Sequence, residues 1–378
     1  MMRKVLITGG AGFIGSSLAL RLVGRGHSVR VLDSLAPQIH GSDPESSPLF
    51  QRIRSAVDFR RGSVTSRPDV LASLDGIDTV VHLAAETGTG QSMYAIQHYS
   101  DVNVGGTAML LDVIANERLP VQRVVVASSR AVYGEGAYWC GGHGAVYPPP
   151  RLAAAMATGD FDVRCPVCGA IATATATSEA AQVVPHSVYG VTKLTQEQMT
   201  LAVSRALGIS GIAFRYQNVY GPGQSLSNPY TGILSIFSTR IRNGKGINIF
   251  EDGRESRDFV YIDDVISATV QGIEHPDAIV DTFNVGAGVA TSVADIARML
   301  QTGLGTEVPL EVTGQFRVGD IRHNTADLTK VRAQLGFEPG VSISEGLARF
   351  VDWVRGEIIE GDRSDASLDE LRTRGLLK

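Results

Sequence analysis

A tyrosine and a lysine in the middle of the chain have the spacing that acid–base chemistry requires. They are Tyr189 and Lys193, in the stretch YGVTK. On a helix, residues four apart lie on one face, so the phenol and the ammonium would be neighbours. A free phenol, with a pKa of about 10, is a poor base at neutral pH, but a nearby cation favours the phenolate. The pair therefore predicts a general base, although the same spacing is also common on exposed helices.

A serine pair upstream is a candidate for the same site. Ser128 and Ser129 end the apolar stretch RVVVASS, which is typical of a strand. Open α/β sheets bind ligands at the carboxyl ends of their strands, so Ser129 would face a ligand there. The alternative is a serine pair that only caps a turn. Their order along the chain, after the glycine turn described next, favours a catalytic set of Ser129, Tyr189 and Lys193.

A glycine-rich turn near the N-terminus predicts a dinucleotide site. The stretch GGAGFIG, from Gly9 to Gly15, follows a predicted strand and precedes a predicted helix. Glycine allows the tight turn and the close approach of the backbone to a pyrophosphate, which the helix N-terminus attracts. Asp33 ends the next strand, and its carboxylate would bind ribose hydroxyls and repel a 2′-phosphate, which favours NAD over NADP. The alternatives are a structural glycine turn and a solvated aspartate.

The three cysteines of the chain lie in one short segment between the candidate serine and tyrosine. They form C-x-x-H and C-x-x-C pairs, with candidate ligands at Cys140, His143, Cys165 and Cys168. Two such pairs separated by a loop close the tetrahedral site of a zinc ribbon. Because all four ligands come from the protein, the zinc would be structural and would order the insert as a partial lid. An unmetallated loop and a redox-active C-x-x-C are the alternatives.

The elements that must position these residues alternate between apolar strands and amphipathic helices. Runs such as KVLITGG, SVRVLDS, TVVHLAAE, RVVVASS and GIAFRYQ have few polar residues on either face, as parallel strands covered by helices do. Amphipathic stretches such as SSLALRLVGRG and GGTAMLLDVIANE lie between them. The pattern predicts an α/β fold with a doubly wound parallel sheet of the Rossmann type.

The sequence also predicts how the chain is divided. We expect a Rossmann domain that binds the dinucleotide over residues 1–220, interrupted by a small zinc-ribbon-like insert at 138–170. Turns around shorter elements indicate a smaller, interleaved C-terminal substrate lobe over 221–356, with some segments that return to the first domain. Residues 357–378 are charged and are predicted to form a surface helix or a frayed tail.

Composition excludes several classes of partner. The 378-residue chain has a formal net charge of −5 and no basic run, which argues against nucleic acid and against anionic membranes. No apolar run reaches the ~18 residues of a membrane span, and the N-terminus leads directly into a strand rather than a cleavable signal. We therefore expect a cytoplasmic protein that binds neither nucleic acid nor a membrane.

With these motifs the chain resembles the extended short-chain dehydrogenases/reductases, and within them the NAD-dependent nucleotide-sugar epimerase/dehydratase group. The resemblance covers roughly Lys4 to Val354, apart from the cysteine segment, and rests on the motifs TGGAGFIG, HLAA, SSRAVYG, YGVTK, RYQNVYGP and RDFVYIDDV. It implies tightly held NAD, a nucleotide-sugar substrate, and a hydride that leaves a sugar carbon and returns to a keto-sugar intermediate. It also implies a homodimer in which helices at Val104–Asn116 and Tyr189–Arg205 pair across a two-fold axis.

The resemblance assigns further site residues. Ser129 would hydrogen-bond the reacting hydroxyl, and Arg257 and Arg317 would grip the diphosphate unless they form surface ion pairs. A pyrimidine base would lie against Asn248 and Phe250. The predicted substrate contacts are Thr87, Ser129, Asn218, Asn248, Phe250, Arg257 and Arg317. The predicted cofactor contacts are Gly9, Gly12, Phe13, Ile14, Gly15, Asp33, Ser34, Ser63, Val64, Leu83, Ala84, Ala85, Tyr189 and Lys193.

Four positions depart from the pattern of that group. In nucleotide-sugar 4,6-dehydratases the catalytic serine or threonine is followed by Asp-Glu, which supply the acid and base that eliminate water, whereas Arg130 and Ala131 follow here. Alanine transfers no proton and arginine stays protonated, so the acid and base that dehydration requires are missing at these positions. Ser63 replaces an aspartate near the adenine, and Gln217 replaces an aromatic residue near the nicotinamide. These two replacements alter contacts to the cofactor without excluding it.

We therefore interpret the chain as a nucleotide-sugar 4-epimerase that works through a transient 4-keto sugar. The combination of this scaffold with a cysteine-bearing insert resembles dTDP-L-rhamnose 4-epimerases, which implies dTDP-L-rhamnose and dTDP-6-deoxy-L-talose as the reacting pair. A UDP-hexose or UDP-uronate 4-epimerase is the alternative within the group. A catalytically silent NAD-sensing scaffold is the alternative from another class, which the presence of Ser129, Tyr189 and Lys193 disfavours.

Overall fold

The computed structural model describes residues 2–230, 232–359, 362 and 364–378. The strands are β1 (Lys4–Thr8), β2 (Ser28–Asp33), β3 (Asp58–Arg61), β4 (Thr79–His82), β5 (Arg123–Ser129), β6 (Tyr138–Cys140), β7 (Gly144–Val146), β8 (Thr173–Ala174), β9 (Ser210–Tyr216), β10 (Asn218–Tyr220), β11 (Ile247–Ile249), β12 (Ser256–Tyr261), β13 (Val280–Val285), β14 (Ala290–Ser292), β15 (Leu310–Val312) and β16 (His323–Asn324).

Helices connect and cover these strands. They are α1 (Phe13–Gly24), α2 (Pro37–His40), α3 (Pro48–Gln51), α4 (Arg67–Leu74), α5 (Thr89–Ser92), α6 (Ile96–Tyr99), α7 (Gly106–Asn116), α8 (Ala153–Met156), α9 (Val188–Leu207), α10 (Ile233–Arg242), α11 (Ile262–Glu274), α12 (Val293–Leu304), α13 (Thr329–Leu335), α14 (Ile343–Gly356) and α15 (Ser364–Thr373). Among the described residues, no helix combines the length and the apolar character that crossing a membrane requires.

A seven-stranded sheet lies at the centre of the described part of the chain. Its strand order is β3-β2-β1-β4-β5-β9-β13, and all neighbouring strands are parallel. Helices α1 and α11 pack on one face, and α4, α7 and α9 pack on the other, so every residue of β5 and β9 is buried. The predicted doubly wound parallel sheet is thereby confirmed, with the five predicted strands at β1, β2, β4, β5 and β9.

The two edge strands of this sheet were not apparent from the apolar runs. Strand β3 has the sequence DFRR and is largely exposed, because an edge strand is covered on fewer sides. Strand β13 has the sequence VDTFNV and lies beside β9 although it belongs to the C-terminal part of the chain. The sequence predicted that some segments of the C-terminal part return to the first domain, without identifying which ones.

The chain reverses its direction of travel across the sheet between β1 and β4. Strands β2 and β3 extend the sheet to one side of β1, and β4, β5, β9 and β13 extend it to the other. The loops that follow β1 and β4 therefore diverge and leave a crevice at the carboxyl ends of the strands. The strands on both sides of β1 are in register, with Val5 opposite Val29 of β2 and opposite Thr79 of β4.

Smaller sheets carry the C-terminal elements beside this crevice. Strands β10, β12 and β14 form one sheet with β16 beside β12, and β11 pairs with β15. The limits of the substrate lobe at 221–356 stay a prediction. The predicted tail contains helix α15, while residues 360, 361 and 363 of that tail lie outside the described residues.

Candidate functional site

A cavity of about 1360 Å³ occupies the crevice at the carboxyl ends of the strands. It is lined by every residue that the sequence assigned to cofactor or substrate. The contributions from the dinucleotide half are Gly9, Gly12, Phe13, Ile14 and Gly15 after β1, Asp33 and Ser34 at β2, Ser63 and Val64 after β3, and Leu83, Ala84, Ala85 and Thr87 after β4. The others are Ser129, Tyr189, Lys193, Asn218, Asn248, Phe250, Arg257 and Arg317.

The glycine turn between β1 and α1 has the shape that a pyrophosphate needs. Gly9 has a φ of +68°, and a Cβ atom there would lie 2.7 Å from the backbone nitrogen of Ala84. A Cβ atom on Gly15 would lie 2.5 Å from the carbonyl oxygen of Gly9, so this glycine permits close helix packing. At Gly12 the nearest such contact is 3.4 Å, and no acidic side chain lies in the first turn of α1. The turn thus presents free helix amides to an anion.

The carboxylate of Asp33 is fixed at the end of β2. Its two oxygens accept hydrogen bonds from the backbone amides of Ala11 at 2.9 Å and Leu35 at 2.8 Å. A carboxylate has about four acceptor positions, so capacity remains for ribose hydroxyls. The amide of Ser63 donates to Asp69 at 2.9 Å, which fixes the loop after β3 on the same side of the cavity. This wall therefore fits the adenosine half of a dinucleotide.

The structure brings Ser129, Tyr189 and Lys193 together. Tyr189 hydrogen-bonds with Ser129, whose Oγ also accepts from the backbone amide of Ala131 at 3.2 Å. Burial raises the pKa of Tyr189, while this hydrogen bond and the charge of Arg130 oppose the rise. The Nζ atom of Lys193 lies 6.0 Å from the centre of the Tyr189 ring and donates to the carbonyl oxygen of Ala127 at 3.0 Å. Burial lowers the pKa of Lys193 to about 7.

A buried ion pair lies beneath these three predicted catalytic residues. Arg215 of β9 donates to both carboxylate oxygens of Glu197 on α9, at 2.5 and 3.0 Å. Ser128, next to Ser129, donates to the same carboxylate at 2.6 Å. The ion pair therefore ties β5, β9 and α9 together, and it explains the arginine of the RYQN motif as a structural residue.

The histidine of the HLAA motif is also structural. His82 is 1% exposed and hydrogen-bonds Thr8 at 2.7 Å and Thr107 at 2.9 Å. Burial, together with the nearby charge of Lys193, lowers the pKa of His82 to about 3. The imidazole is thus neutral at physiological pH and joins β1, β4 and α7 beneath the cavity.

The two predicted diphosphate-binding arginines share one carboxylate. Asp320 accepts from Arg257 at 3.2 Å and lies 3.0 Å from the Nη2 atom of Arg317. Burial alone would raise the pKa of Asp320, but Arg317, Arg257 and Arg130 outweigh burial and hold it well below its usual range. The Arg317 guanidinium also lies 5.1 Å from the ring centre of Phe250. Asp320 therefore orients both arginines towards the cavity.

Several cavity residues were missed by the sequence analysis. Asp320, three residues after Arg317, could have been suspected from that spacing. Glu255 lines the cavity, and burial raises its pKa to about 7. Arg130 lines it as well, although the sequence suggested only that this residue cannot replace a catalytic acid.

The C-terminal helix also reaches the cavity, which the sequence did not indicate. Side chains of α15 that line it are Ser364, Ser367, Leu368 and Leu371. Glu370 of the same helix accepts hydrogen bonds from Tyr94 at 2.9 Å and Tyr230 at 3.1 Å. The predicted surface helix is therefore packed across one end of the cavity, held by polar contacts with two loops.

The cysteine-bearing insert has a small sheet of its own, with strand order β7-β6-β8. The donor atoms of Cys140, His143, Cys165 and Cys168 all lie within 4.8 Å of one another. Three of the separations are 3.6 Å (Cys140–His143), 3.7 Å (Cys140–Cys168) and 3.7 Å (Cys165–His143). A tetrahedral zinc with Zn–S bonds of about 2.3 Å requires edges of about 3.5–3.8 Å. The four residues therefore fit a zinc ion, and none of them lines the reaction cavity.

The insert packs against the loop that carries Arg317, one of the predicted diphosphate-binding arginines. Arg151, with a side chain 5% exposed, forms ion pairs with Glu135 at 3.0 Å and Glu251 at 2.7 Å. It also donates to the carbonyl oxygen of Asp320 at 3.1 Å. Phe161 packs against Phe316, the neighbour of Arg317, with ring centres 6.5 Å apart. These contacts connect the insert to the part of the cavity that Arg317 and Asp320 line.

Comparison with known proteins agrees with this arrangement. The family model for the NAD-dependent epimerase/dehydratase family matches residues 5–147 and 165–286. A dTDP-L-rhamnose 4-epimerase of Burkholderia thailandensis is 39% identical over 94% of this chain and 96% of its own. A UDP-glucose 4-epimerase of Mycolicibacterium smegmatis is 30% identical over 94% of this chain and 99% of its own.

A solved structure extends the comparison to the fold. The UDP-glucuronic acid 4-epimerase of Bacillus cereus, in complex with UDP-glucuronic acid and NAD, is similar with a TM-score of 0.75. The two sequences are 27% identical, and the match covers 93% of this chain and 99% of that one. Residues 148–164, between the two parts of the family match, belong to the insert and include Arg151 and Phe161.

Proposed function

The chain belongs to the NAD-dependent epimerase/dehydratase family, and from this premise we propose that it interconverts dTDP-L-rhamnose and its 4-epimer, dTDP-6-deoxy-L-talose. It is an NAD-dependent nucleotide-sugar epimerase, in agreement with its relatives. The observation that carries the proposal is one cavity lined by the glycine turn, by Ser129, Tyr189 and Lys193, and by Arg257 and Arg317. The choice of a dTDP-6-deoxysugar as substrate is supported by the relative that is 39% identical, a dTDP-L-rhamnose 4-epimerase. UDP-hexoses and UDP-uronates are the alternative substrates.

The cofactor end of the cavity fits NAD. Gly12 leaves space for a pyrophosphate at the N-terminus of α1, and Asp33 has acceptor capacity for ribose hydroxyls. When bound, NAD supplies the hydride acceptor for oxidation at C4 and the hydride donor for the return step. Proton transfer, orientation of the sugar and exclusion of water are left to the residues of the chain.

Tyr189 is the proposed acid–base residue. Ser129, which hydrogen-bonds Tyr189, binds the same C4 hydroxyl and aligns it. The phenolate takes the hydroxyl proton as C4 becomes a ketone, and the phenol returns that proton to the C4 oxygen after the sugar has turned its other face. Because burial raises the pKa of Tyr189, the phenolate needs the positive charge of Lys193 and Arg130 nearby.

Dehydration is disfavoured by the turn that follows the catalytic serine. Arg130 and Ala131 occupy the positions after Ser129, and neither side chain exchanges protons with a sugar at neutral pH. For a nucleotide sugar that carries a 6-hydroxyl, the expected product is therefore the 4-epimer rather than a 4-keto-6-deoxy sugar.

We also propose that the insert binds one structural zinc ion through Cys140, His143, Cys165 and Cys168. The donor separations support a tetrahedral site, and four protein ligands leave no position for substrate. The apolar cluster of the insert contains only a few buried side chains, which is too little to fold it independently. The metal would order the insert and, through it, the substrate loop.

A homodimer is proposed from the same resemblance. Helix α7 and the preceding Ser100–Gly105 turn, together with α9, would pair with their copies across a two-fold axis. Val191 on α9 is 49% exposed in the single chain, as an apolar interface residue would be. Sedimentation of a monomer at micromolar concentration would contradict this assembly.

The experiment that tests the function is a substrate panel with the purified protein. The purified protein should contain NAD, and NMR should show that it converts dTDP-L-rhamnose into its 4-epimer without added reductant. Conversion of a UDP-hexose or UDP-uronate alone would replace the substrate and keep the reaction class. A protein that binds NAD but converts no member of the panel would instead support the non-catalytic alternative.

A further inference from the structure

We propose that Arg130 binds the sugar ring of the nucleotide sugar, donating hydrogen bonds to oxygen atoms at and beside the reacting carbon. This inference rests on the proposed function and assigns to the same cavity a sugar contact that the resemblance did not imply. The ligand chemistry is an uncharged hydroxyl or ketone oxygen of a hexose.

The position of Arg130 directs its side chain towards the reaction centre. It begins the Arg130–Tyr133 turn directly after Ser129 and lines the same cavity as Ser129 and Tyr189. Its charge is close enough to Tyr189 to lower the pKa of the phenol. A ligand that reacts between Ser129 and Tyr189 therefore comes within reach of this guanidinium.

The guanidinium of Arg130 lacks protein partners in the part of the chain that the structure describes. Its Nη1 atom is closed to solvent and has no hydrogen-bond partner there. The side chain makes no hydrogen bond or ion pair with any described residue, although a guanidinium carries five N–H donors. A buried donor without a partner is destabilising, and more so when it is charged. Arg130 as a whole is only partly buried and lines the cavity, so its other N–H groups can reach acceptors of a bound ligand.

Arg257 and Arg317, unlike Arg130, are ion-paired, so we expect them to bind a different part of the substrate. Arg257 and Arg317 are both paired with Asp320, at 3.2 and 3.0 Å, and Arg317 lies over Phe250 at the predicted base end. They are placed for the diphosphate. Arg130 is unpaired and lies beside the catalytic tyrosine, so the sugar is the part of the substrate that it meets.

The charge state of Arg130 suits this role. Burial and the charge of Arg257 lower the pKa of Arg130 to about 9, against the opposing effects of Asp320, Tyr189 and Asp258. The side chain is still protonated at neutral pH. A cationic donor is satisfied equally by a hydroxyl oxygen before oxidation and by a ketone oxygen after it, so it can hold the sugar through both half-reactions.

The test compares binding of a nucleotide sugar with binding of the free nucleotide. Arg130→Met and Arg130→Gln are made in the NAD-containing protein with Tyr189→Phe as background, so that turnover does not disturb calorimetry. Affinity for dTDP-L-rhamnose should fall about tenfold or more, while affinity for dTDP changes less than about twofold. Arg164→Met, which removes an exposed arginine of the insert, is the control and should change neither affinity.

Three outcomes overturn the inference. An equal loss of affinity for dTDP would assign Arg130 to the diphosphate, and unchanged affinity for both ligands would leave it without a contact. If calorimetry with UDP-glucuronate showed a loss of affinity for that ligand alone, Arg130 would bind a carboxylate rather than a hydroxyl or ketone oxygen. NAD content and melting temperature of each variant establish that it is folded. Failure of the Tyr189→Phe background to bind any nucleotide sugar would count against the proposed function itself, whereas the outcomes above concern Arg130 alone.

Discussion

Gly190 lies directly against the carbonyl oxygen of Ala131, where a Cβ atom would come within 2.6 Å. Through this contact the first turn of helix α9 packs against the Arg130–Tyr133 turn, which follows β5. Tyr189 lies in this turn of α9, and Ser129 directly precedes the Arg130–Tyr133 turn, so the backbone contact sets the separation of these two proposed catalytic side chains. The glycine of the YGVTK motif is therefore needed for close packing, and helix formation alone does not explain it.

We predict that Gly190→Ala lowers kcat by about 10- to 100-fold, because the added methyl group pushes Tyr189 away from Ser129. Alanine is a better helix former than glycine, so loss of the helix is not the expected cause. The matched control is Gly24→Ala in α1, where a Cβ atom would meet nothing within 4 Å. Steady-state kinetics with both variants measure the effect, and equal activity would mean that the contact tolerates a methyl group.

We predict that Tyr189→Phe lowers kcat by about 100-fold or more, because the phenylalanine ring keeps the shape but cannot transfer a proton. Affinity for the nucleotide part of the substrate should change little. Tyr147→Phe, at a residue that is 37% exposed on the insert, is the control and should leave kcat unchanged. Near-wild-type turnover in the Tyr189 variant would remove this residue from the mechanism.

Short-range signals account for the part of the site that the sequence predicted. The glycine turn, Asp33, Ser129 and Tyr189 all lie at strand ends or helix starts, and parallel topology alone brings such positions to one edge of a sheet. The C-terminal helix could not be placed in this way, because its approach to the cavity depends on side-chain contacts between Glu370 and distant loops.

The same limit applies to polar residues whose role depends on their partners. The sequence does not show which charged groups Asp320 and Arg130 contact, and only packing reveals that Asp320 pairs with two arginines while the Nη1 atom of Arg130 has no partner among the described residues. The residues of a sequence motif are close together in the chain, whereas the pairing of a buried charge depends on the whole fold.

We predict that His82 makes the protein acid-sensitive. The folded-state pKa of His82 is about 3, against a usual value of 6.5, so between these values the unfolded chain binds a proton that the folded protein excludes. The free energy of unfolding therefore falls as pH falls, by about 1.4 kcal/mol per pH unit for this residue. Chemical unfolding at about pH 7, 6 and 5 should show this extra slope in the wild type and its absence in His82→Gln. If the free energy of unfolding of the wild type and of His82→Gln changed with pH by the same amount, the prediction would be wrong. The control is His98→Gln, at a side chain that is 61% exposed.

We predict that Arg151→Met raises KM for the nucleotide sugar by about 2- to 30-fold with little change in kcat, because Arg151 does not line the cavity and acts on the substrate through the loops of Asp320 and Glu251. The variant leaves Glu135 and Glu251 without this partner, so the melting temperature should also fall. Kinetics are therefore measured well below that temperature and with the NAD content verified. Arg164→Met should change neither constant, and a fall in kcat at unchanged KM would contradict a positioning role.

We predict that the insert of each chain binds one zinc ion, which takes no part in hydride transfer. Replacing Cys165 and Cys168 together by serine should abolish the metal content and increase proteolysis within the insert, because two of the four ligands are lost. KM should rise more than kcat falls, since a disordered insert no longer holds the substrate loop. His143→Gln should also lose the metal, whereas His98→Gln should retain it. Elemental analysis that finds no zinc in wild-type protein prepared without chelators would defeat the metal site, and a selective loss of kcat in the zinc-free variant would defeat its structural role.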